Sequence, residues 1–179
     1  PHVILRKKLI LGEYVNGLGK TLGHFCARTA FRGSDLSLPT NKKKKDTALF
    51  QGNVELMAIT ENLVFTDPYF EAEMNHHTQG LEPVVKKLRS DISLKTEAQK
   101  ILLKFASNTE TLLHGDLHSG SVMCTDTETK IIDPEFGFYG PMGFDIGMLI
   151  SNFLMAYFSQ PGHRTENSRE KYQDWILSV

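Results

Sequence analysis

The sequence predicts an α+β fold that is mostly helical and carries one small β-hairpin. Apolar residues recur at helical spacing over most of the chain, whereas β-type runs are confined to residues 111–133. The 179 residues suffice for one substantial core. A hydrophobic fraction of 40% and a charged fraction of 23% are typical of a globular domain. We therefore expect a single domain over residues 1–179.

The N-terminal part is predicted to contain one helix and one polar insert. Helical spacing of apolar residues predicts a helix over 21–31 from Leu22, Phe25, Cys26 and Ala30. Residues 33–46 include four consecutive lysines at 42–45 and few apolar residues, which predicts a mobile, solvated loop. A nuclear-targeting or anion-binding patch is the alternative interpretation of the lysines.

Two further helices are predicted before the β-type runs. Asp46 is a cap candidate for a helix that runs to about residue 65. Pro68 ends this helix, because proline lacks an amide donor and restricts the residue before it. Ser93 is the cap candidate for the next helix, whose apolar positions follow helical spacing at Leu94, Ala98, Ile101, Leu102 and Phe105.

The C-terminal part combines short strands with two helices. Residues 111–114, 121–125 and 130–133 have β-type composition, and a turn at 126–129 joins the last two runs into a hairpin. Residues 144–158 are apolar almost all round, which predicts a buried core helix rather than a membrane span. A closing helix places its apolar side chains on one face, namely Tyr172, Trp175, Ile176 and Val179.

Charge and cysteine content exclude several classes of partner. A formal net charge of −1 gives no electrostatic attraction to nucleic acid or to an anionic membrane, so we expect neither. Cys26 and Cys124 lie far apart without a CxxC motif, which favours reduced thiols in the cytosol. The chain begins with Pro-His-Val-Ile-Leu-Arg and shows no signal-peptide pattern. Because it starts on proline without an initiator methionine, we expect it to be part of a longer protein.

Three motifs are predicted to carry the chemistry: His-Gly-Asp-Leu-His-Ser-Gly-Ser-Val at 114–122, Ile-Ile-Asp-Pro-Glu at 131–135, and Gly-Pro-Met-Gly-Phe-Asp-Ile-Gly at 140–147. The first presents Asp116 on a glycine-bounded loop, where a carboxylate can accept the proton of an attacking alcohol. The second places Asp133 and Glu135 on either side of Pro134 at a strand end, where carboxylates suit Mg²⁺. Each site could also be an ordinary turn with solvated acids, but their combination favours phosphoryl transfer.

Two residue sets have other interpretations. His114, Asp116 and His118 would share one face of a strand, as a zinc or iron hydrolase requires. The loop-like neighbourhood weighs against that site and favours a structural His114 that hydrogen-bonds the loop backbone, with His118 near the substrate. Asp145 could cap its helix or accept amides from the catalytic loop, and both roles are structural.

The strings LLHGDLHSGSVM and IIDPEFGFYGPMGFDIG resemble the 5-methylthioribose kinase family, within the superfamily of aminoglycoside phosphotransferases and choline kinases. The resemblance covers nearly the whole chain and is weakest at the lysine insert. It implies a protein-kinase-like C-terminal lobe with a small catalytic β-hairpin. It also implies transfer of the ATP γ-phosphoryl group to the 1-hydroxyl of 5-methylthioribose in methionine salvage, by a cytoplasmic enzyme that is a homodimer at full length.

The resemblance also implies roles for individual residues. Asp116 would be the catalytic base and, with His118, would bind the sugar. Asp133, Pro134 and Glu135 would hold ATP and Mg²⁺. Ser121 stands where many relatives have a metal-binding asparagine, so it is a further candidate metal ligand.

The family's N-terminal ATP-binding lobe has no counterpart that we recognise before His114. We therefore expect residues 1–179 alone neither to bind ATP tightly nor to phosphorylate methylthioribose. Another kinase of the superfamily, acting on an aminoglycoside, homoserine or choline, is the alternative within enzymes. A non-catalytic kinase-like binding module is the alternative outside them.

Overall fold

A computed structural model describes residues 3–31, 38–50 and 52–179. The α-helices in these ranges are α1 (Leu5–Leu11), α2 (Leu18–Cys26), α3 (Thr40–Phe50), α4 (Val54–Thr60), α5 (Glu82–Ser90), α6 (Ile92–Ser107), α7 (Gly143–Ser159) and α8 (Glu166–Ser178). The strands are β1 (Val3–Ile4), β2 (Thr111–Leu112), β3 (Val122–Cys124), β4 (Thr129–Ile131) and β5 (Tyr139–Gly140). The prediction of a mostly helical α+β fold is confirmed.

The strands form two small antiparallel sheets around the His-Gly-Asp and Asp-Pro-Glu motifs. The predicted hairpin is present as β3 and β4, and β1 adds to it by pairing Val3 with Cys124. Strand β2 pairs with β5 through Thr111 and Gly140. The His-Gly-Asp motif lies between β2 and β3, so each end of its loop continues into a different sheet. Neither β1 nor β5 is predicted by the sequence, because two residues are too few to show a strand period.

Two apolar clusters support this arrangement. The larger one joins α1, α2, α7, α8 and the hairpin, and it comprises Leu5, Leu9, Val15, Leu18, Leu22, Leu117, Val122, Cys124, Leu149, Tyr172 and Ile176. The smaller one is mostly aromatic and comprises Phe65, Phe105, Leu113 and Phe138, with Phe144 packed against it. In this cluster the ring centroids of Phe105 and Phe138 are 4.9 Å apart. The second cluster therefore joins the helical segment 54–107 to the β2–β5 sheet.

The prediction of a mobile loop at 33–46 is wrong for residues 40–46, which lie in α3. Residues 33–37 lie outside the described residues. Lysine is a good helix former, and Lys42 pairs with Asp46 one turn later at 2.8 Å. Helix α3 buries none of its side chains. Its composition is therefore that of an exposed helix, which polarity alone does not distinguish from a loop.

Two predicted helix starts are also wrong. Asp46 lies inside α3 instead of capping a helix over 46–65, and that segment divides between α3, α4 and a π-helical stretch at Glu61–Thr66. The predicted end of the segment is confirmed by a 3₁₀ turn at Asp67–Tyr69. Asp91, not Ser93, caps α6, since its carboxylate accepts a hydrogen bond from the Leu94 amide at 2.9 Å. Asp and Ser are both good caps, so composition does not choose between them.

The predicted helix at 144–158 exists as α7, but the prediction of a buried core helix is wrong for several of its faces. Leu149 packs in the larger cluster with α2 and α8. Ile150, Leu154 and Phe158 on other faces are exposed, Phe158 to 73%. Among the described helices, none is both long and apolar enough to cross a membrane.

Candidate active site

Asp145, in the first turn of α7, holds the backbone of the His-Gly-Asp loop by hydrogen bonds. Its carboxylate accepts hydrogen bonds from the backbone amides of His114 at 2.7 Å and Gly115 at 3.1 Å. Asp145 is buried, and this burial raises the pKa of its carboxyl, while the two amides oppose the rise. A pKa that is higher in the folded than in the unfolded chain favours folding most at low pH, and this contribution is lost as pH rises through the folded value.

Gly115 brings the loop into contact with the Asp-Pro-Glu segment. Its φ of +85° lies in the left-handed region, and a Cβ there would lie 2.0 Å from the carbonyl oxygen of Phe136. No residue with a side chain fits this position without displacing Phe136. Glycine therefore allows the two motifs to touch through their backbones.

His114 makes a second link between the motifs. Its Nε2 lies 2.8 Å from the Ile132 carbonyl oxygen, and its Nδ1 accepts from the Asp116 amide at 3.3 Å. An Nδ1 that accepts leaves the ring proton on Nε2, which donates to Ile132. The buried ring thus joins the residue before Asp133 to the backbone of Asp116.

Asp116 itself projects from this rigid frame towards solvent. The residues on either side of the His114–Asp116 tripeptide, Leu113 and Leu117, are buried in the smaller and the larger apolar cluster respectively. The Asp116 side chain remains 40% exposed. The fold therefore holds its backbone tightly and leaves its carboxylate accessible to a ligand.

His118 contacts the Asp116 carboxylate directly. Its Nε2 lies 3.3 Å from Asp116 Oδ2, and its Nδ1 accepts from the Gly120 amide at 2.9 Å. In the neutral ring this places the proton on Nε2, facing the carboxylate. The 3.3 Å contact places the His118 ring against the Asp116 carboxylate. A zinc or iron site that used His114 would have to displace one of its backbone contacts, because both of its ring nitrogens are engaged.

Two serine hydroxyls stabilise the loop by hydrogen bonds. The Ser121 hydroxyl is buried and donates to the Asp116 carbonyl at 2.9 Å. The Ser119 hydroxyl donates to Asn152 Oδ1 at 2.9 Å, which ties the loop to α7. A metal-binding role for Ser121 stays a prediction.

Asp133 and Glu135 lie on an exposed 3₁₀ turn, Pro134–Phe136, directly after β4. Asp133 has φ 67° and ψ 51°, the one described non-glycine residue with a positive φ. Such a backbone costs about 1–3 kcal/mol and tends to occur at functional sites. The described hydrogen bonds and ion pairs engage neither carboxylate.

The two carboxylates of this turn can bind Mg²⁺ only together with further ligands such as phosphate oxygens. Within the described residues no group of three or more His, Cys, Asp or Glu side chains could hold a metal. Mg²⁺ in nucleotide sites is bound by one or two carboxylates together with phosphate oxygens and water. Two accessible acids that pair with none of the described residues therefore suit a metal that arrives with a phosphate chain.

A cavity of about 290 Å³ adjoins His118 on the side of α1 and α7. Its polar lining residues are Arg6, His118, Ser119, Asn152, Ser159 and His163, and its apolar ones are Leu9, Ile10, Met155 and Ala156. A mixed lining of this kind suits a small polar molecule with one apolar group.

Sequence reasoning missed several residues of the site. Arg6 gives no signal before the fold is known, because it lies more than a hundred residues from the motifs. Asn152 does give one, as a polar side chain within an otherwise apolar helix.

Replacing Asp145 by alanine should destabilise the protein by about 2–4 kcal/mol, because two buried amides lose their acceptor. The exposed Asp174 on α8 provides the control, and its alanine variant should stay within about 0.5 kcal/mol of wild type. Urea unfolding monitored by circular dichroism measures both. Equal stabilities of the two variants would show that the loop does not depend on Asp145.

Comparison with known proteins agrees with this chemistry. The model of the phosphotransferase enzyme family, APH, matches residues 13–175. A methylthioribose kinase of Escherichia coli O45:K1 (strain S88 / ExPEC) is 50% identical over 99% of this chain and 43% of its own length. Methylthioribose kinase 1 of Oryza sativa subsp. japonica is 44% identical over 100% of the chain and 42% of its own length. A methylthioribose kinase of Geobacillus thermodenitrificans (strain NG80-2) is 47% identical over 88% of the chain and 40% of its own length. The chain thus spans about two fifths of these relatives.

Proposed function

The chain belongs to the phosphotransferase enzyme family, and we propose that it forms the acceptor side and the metal-binding side of a methylthioribose kinase active site. The proposed reaction transfers the γ-phosphoryl group of ATP to the 1-hydroxyl of 5-methylthioribose. The sequence resemblance to methylthioribose kinases is confirmed by relatives of that name at 42–50% identity. The substrate and the reaction are proposals for the whole protein.

The observation that carries the proposal is the contact between the two acidic motifs. Gly115 packs on the Phe136 carbonyl, and His114 hydrogen-bonds the Ile132 carbonyl. A kinase must keep its acceptor hydroxyl and the metal-bound phosphate in fixed relative positions. The contacts of Gly115 and His114 with the backbone of the second motif meet that requirement.

On the acceptor side, Asp116 accepts the proton of the sugar hydroxyl. His118 Nε2 lies 3.3 Å from Oδ2 of this carboxylate, and Oδ1 is left to face the hydroxyl. The cavity beside His118 offers polar groups for the sugar hydroxyls and Met155 for the apolar methylthio group.

On the nucleotide side, Asp133 and Glu135 would hold Mg²⁺ together with ATP phosphates, and Pro134 stiffens the turn between them. Bound Mg²⁺ neutralises negative charge on the phosphate chain. Exposure of both acids leaves them accessible to such a ligand. A cytoplasmic location, a place in methionine salvage and a homodimer stay predictions.

The test is a panel of acceptors given to the complete gene product that contains residues 1–179. Methylthioribose, choline, homoserine and an aminoglycoside would each be supplied with ATP and Mg²⁺, and ADP formation followed. We expect kcat/KM for methylthioribose to exceed that for each other acceptor by about 100-fold or more, equivalent to about 2.7 kcal/mol. A preference for another acceptor would support a different kinase of the family, and no turnover at all would support a binding module.

A further inference from the structure

Asn53, at the start of α4, is the only described side chain outside the motifs that hydrogen-bonds the backbone of residues 133–137. Its Nδ2 donates to the carbonyl oxygens of Glu135 and Gly137, each at 2.9 Å. These bonds span more than eighty residues of sequence. They join the helical segment 54–107 to the turn that carries both exposed acids.

Asn53 makes these bonds instead of capping its own helix. Asparagine is among the best N-cap residues, and Asn53 occupies the N-cap position of α4. Its side chain nevertheless makes no cap hydrogen bond. Its side chain therefore does not cap α4, and both amide protons are donated to carbonyl oxygens of the turn.

The two accepting carbonyls lie on either side of Phe136. Within the turn, the Gly137 amide donates to the Pro134 carbonyl at 3.0 Å. Phe136 contacts Gly115 through its own carbonyl oxygen. Asn53 and Gly115 thus restrain the turn from two sides, which fixes the direction of the peptide unit that carries Glu135.

The position of Asn53 is itself well determined. Helix α4 continues into the π-helical stretch Glu61–Thr66, where Phe65 packs against Phe105 at a centroid distance of 5.2 Å. Met57, one turn into α4, packs on the same aromatic cluster. The helix that follows Asn53 is therefore joined to the aromatic cluster through Met57 and Phe65, so the half-exposed donor is held by a packed segment.

We propose that Asn53 is a positioning residue that holds the Asp133–Glu135 turn in the geometry needed to bind Mg²⁺ with a nucleotide. This inference rests on the proposed function, because it assigns Asn53 a role in the metal side of that site. Asn53 does not itself contact metal or substrate in this account. It acts through the Glu135 and Gly137 carbonyls.

Two substitutions separate this role from support of α4. Asn53→Ser keeps a capping hydroxyl but cannot reach two carbonyls, and Asn53→Asp keeps the shape and suits a helix N-terminus but has no donors. Asn75→Ser is the matched control. Asn75 also donates from Nδ2 to two carbonyls, those of Asp67 and Phe70, at 2.6 and 2.9 Å, away from the site.

The probe is ADP, titrated calorimetrically into the complete gene product with and without Mg²⁺. We expect both Asn53 variants to weaken Mg·ADP binding by about tenfold while metal-free ADP binding changes by less than about twofold. Amide exchange over residues 133–137 should also accelerate. Asn75→Ser should match wild type in all three measurements, and circular dichroism should show that every variant is folded.

Three results would overturn the inference. The first is an unchanged Mg·ADP affinity in Asn53→Ser. The second is an equal loss of Mg·ADP affinity in Asn53→Ser and Asn75→Ser, and the third is an equal loss of ADP affinity in the Asn53 variants with and without Mg²⁺. A wild-type protein that binds Mg·ADP but does not phosphorylate methylthioribose would overturn the proposed substrate alone, since the ADP titrations would still decide the role of Asn53.

Discussion

Asp116→Asn should lower kcat for methylthioribose by about 10²–10⁴, the usual cost of losing a general base. Asparagine keeps the shape of the side chain and can keep the contact with His118 Nε2. The loop frame made by Asp145, His114 and Gly115 should remain intact. The loss would therefore report the missing proton acceptor and negative charge, and not a collapsed loop.

The measurement is steady-state kinetics on the complete gene product at saturating ATP. Asp174→Asn, an exposed replacement of the same kind on α8, should keep wild-type kcat. The Mg·ADP affinity of Asp116→Asn should stay within about threefold of wild type, equivalent to about 0.65 kcal/mol. Wild-type turnover in Asp116→Asn would remove this residue from the chemistry.

Asp133→Asn should weaken Mg²⁺-dependent nucleotide binding by at least about tenfold. Loss of a residue that only supports a metal ligand already costs about 10–100-fold, so loss of a direct ligand should cost no less. Asparagine is a better choice than alanine here. Asp133 has a positive φ, which asparagine tolerates and alanine does not, so the fold should be spared.

Titration of ADP at several Mg²⁺ concentrations tests this expectation. The affinity for ADP without Mg²⁺ should be unchanged, and so should the urea midpoint of unfolding. Asp126→Asn, at the exposed tip of the β3–β4 hairpin, is the control. If Asp133→Asn binds Mg·ADP as tightly as wild type, Asp133 is an ordinary turn residue.

The parts of the fold that sequence predicts well are those that depend on neighbouring residues. The hairpin, the α6 pattern and the closing helix each follow from spacing within about fifteen residues. The motifs at 114–122 and 131–135 are also local, which is why sequence identifies the acids of the candidate site.

The errors arise where distant packing or exposure decides the structure. The lysines at 42–45 lie in a helix that buries no side chain, so no apolar pattern marks it. Helix α7 is exposed on faces whose composition predicts burial. Asn53 looks like a helix cap, and only the fold shows that its amide reaches Glu135. Local sequence carries no information about contacts of this range.

The most direct test of the proposed function is to identify the product formed from ATP, Mg²⁺ and 5-methylthioribose by the complete gene product. Phosphorus NMR and mass spectrometry would locate the transferred group. We predict one 5-methylthioribose 1-phosphate for each ADP released, at a rate that Asp116→Asn lowers by about 10²–10⁴. Release of ADP without a phosphorylated sugar, or phosphate at another hydroxyl, would contradict the proposed function.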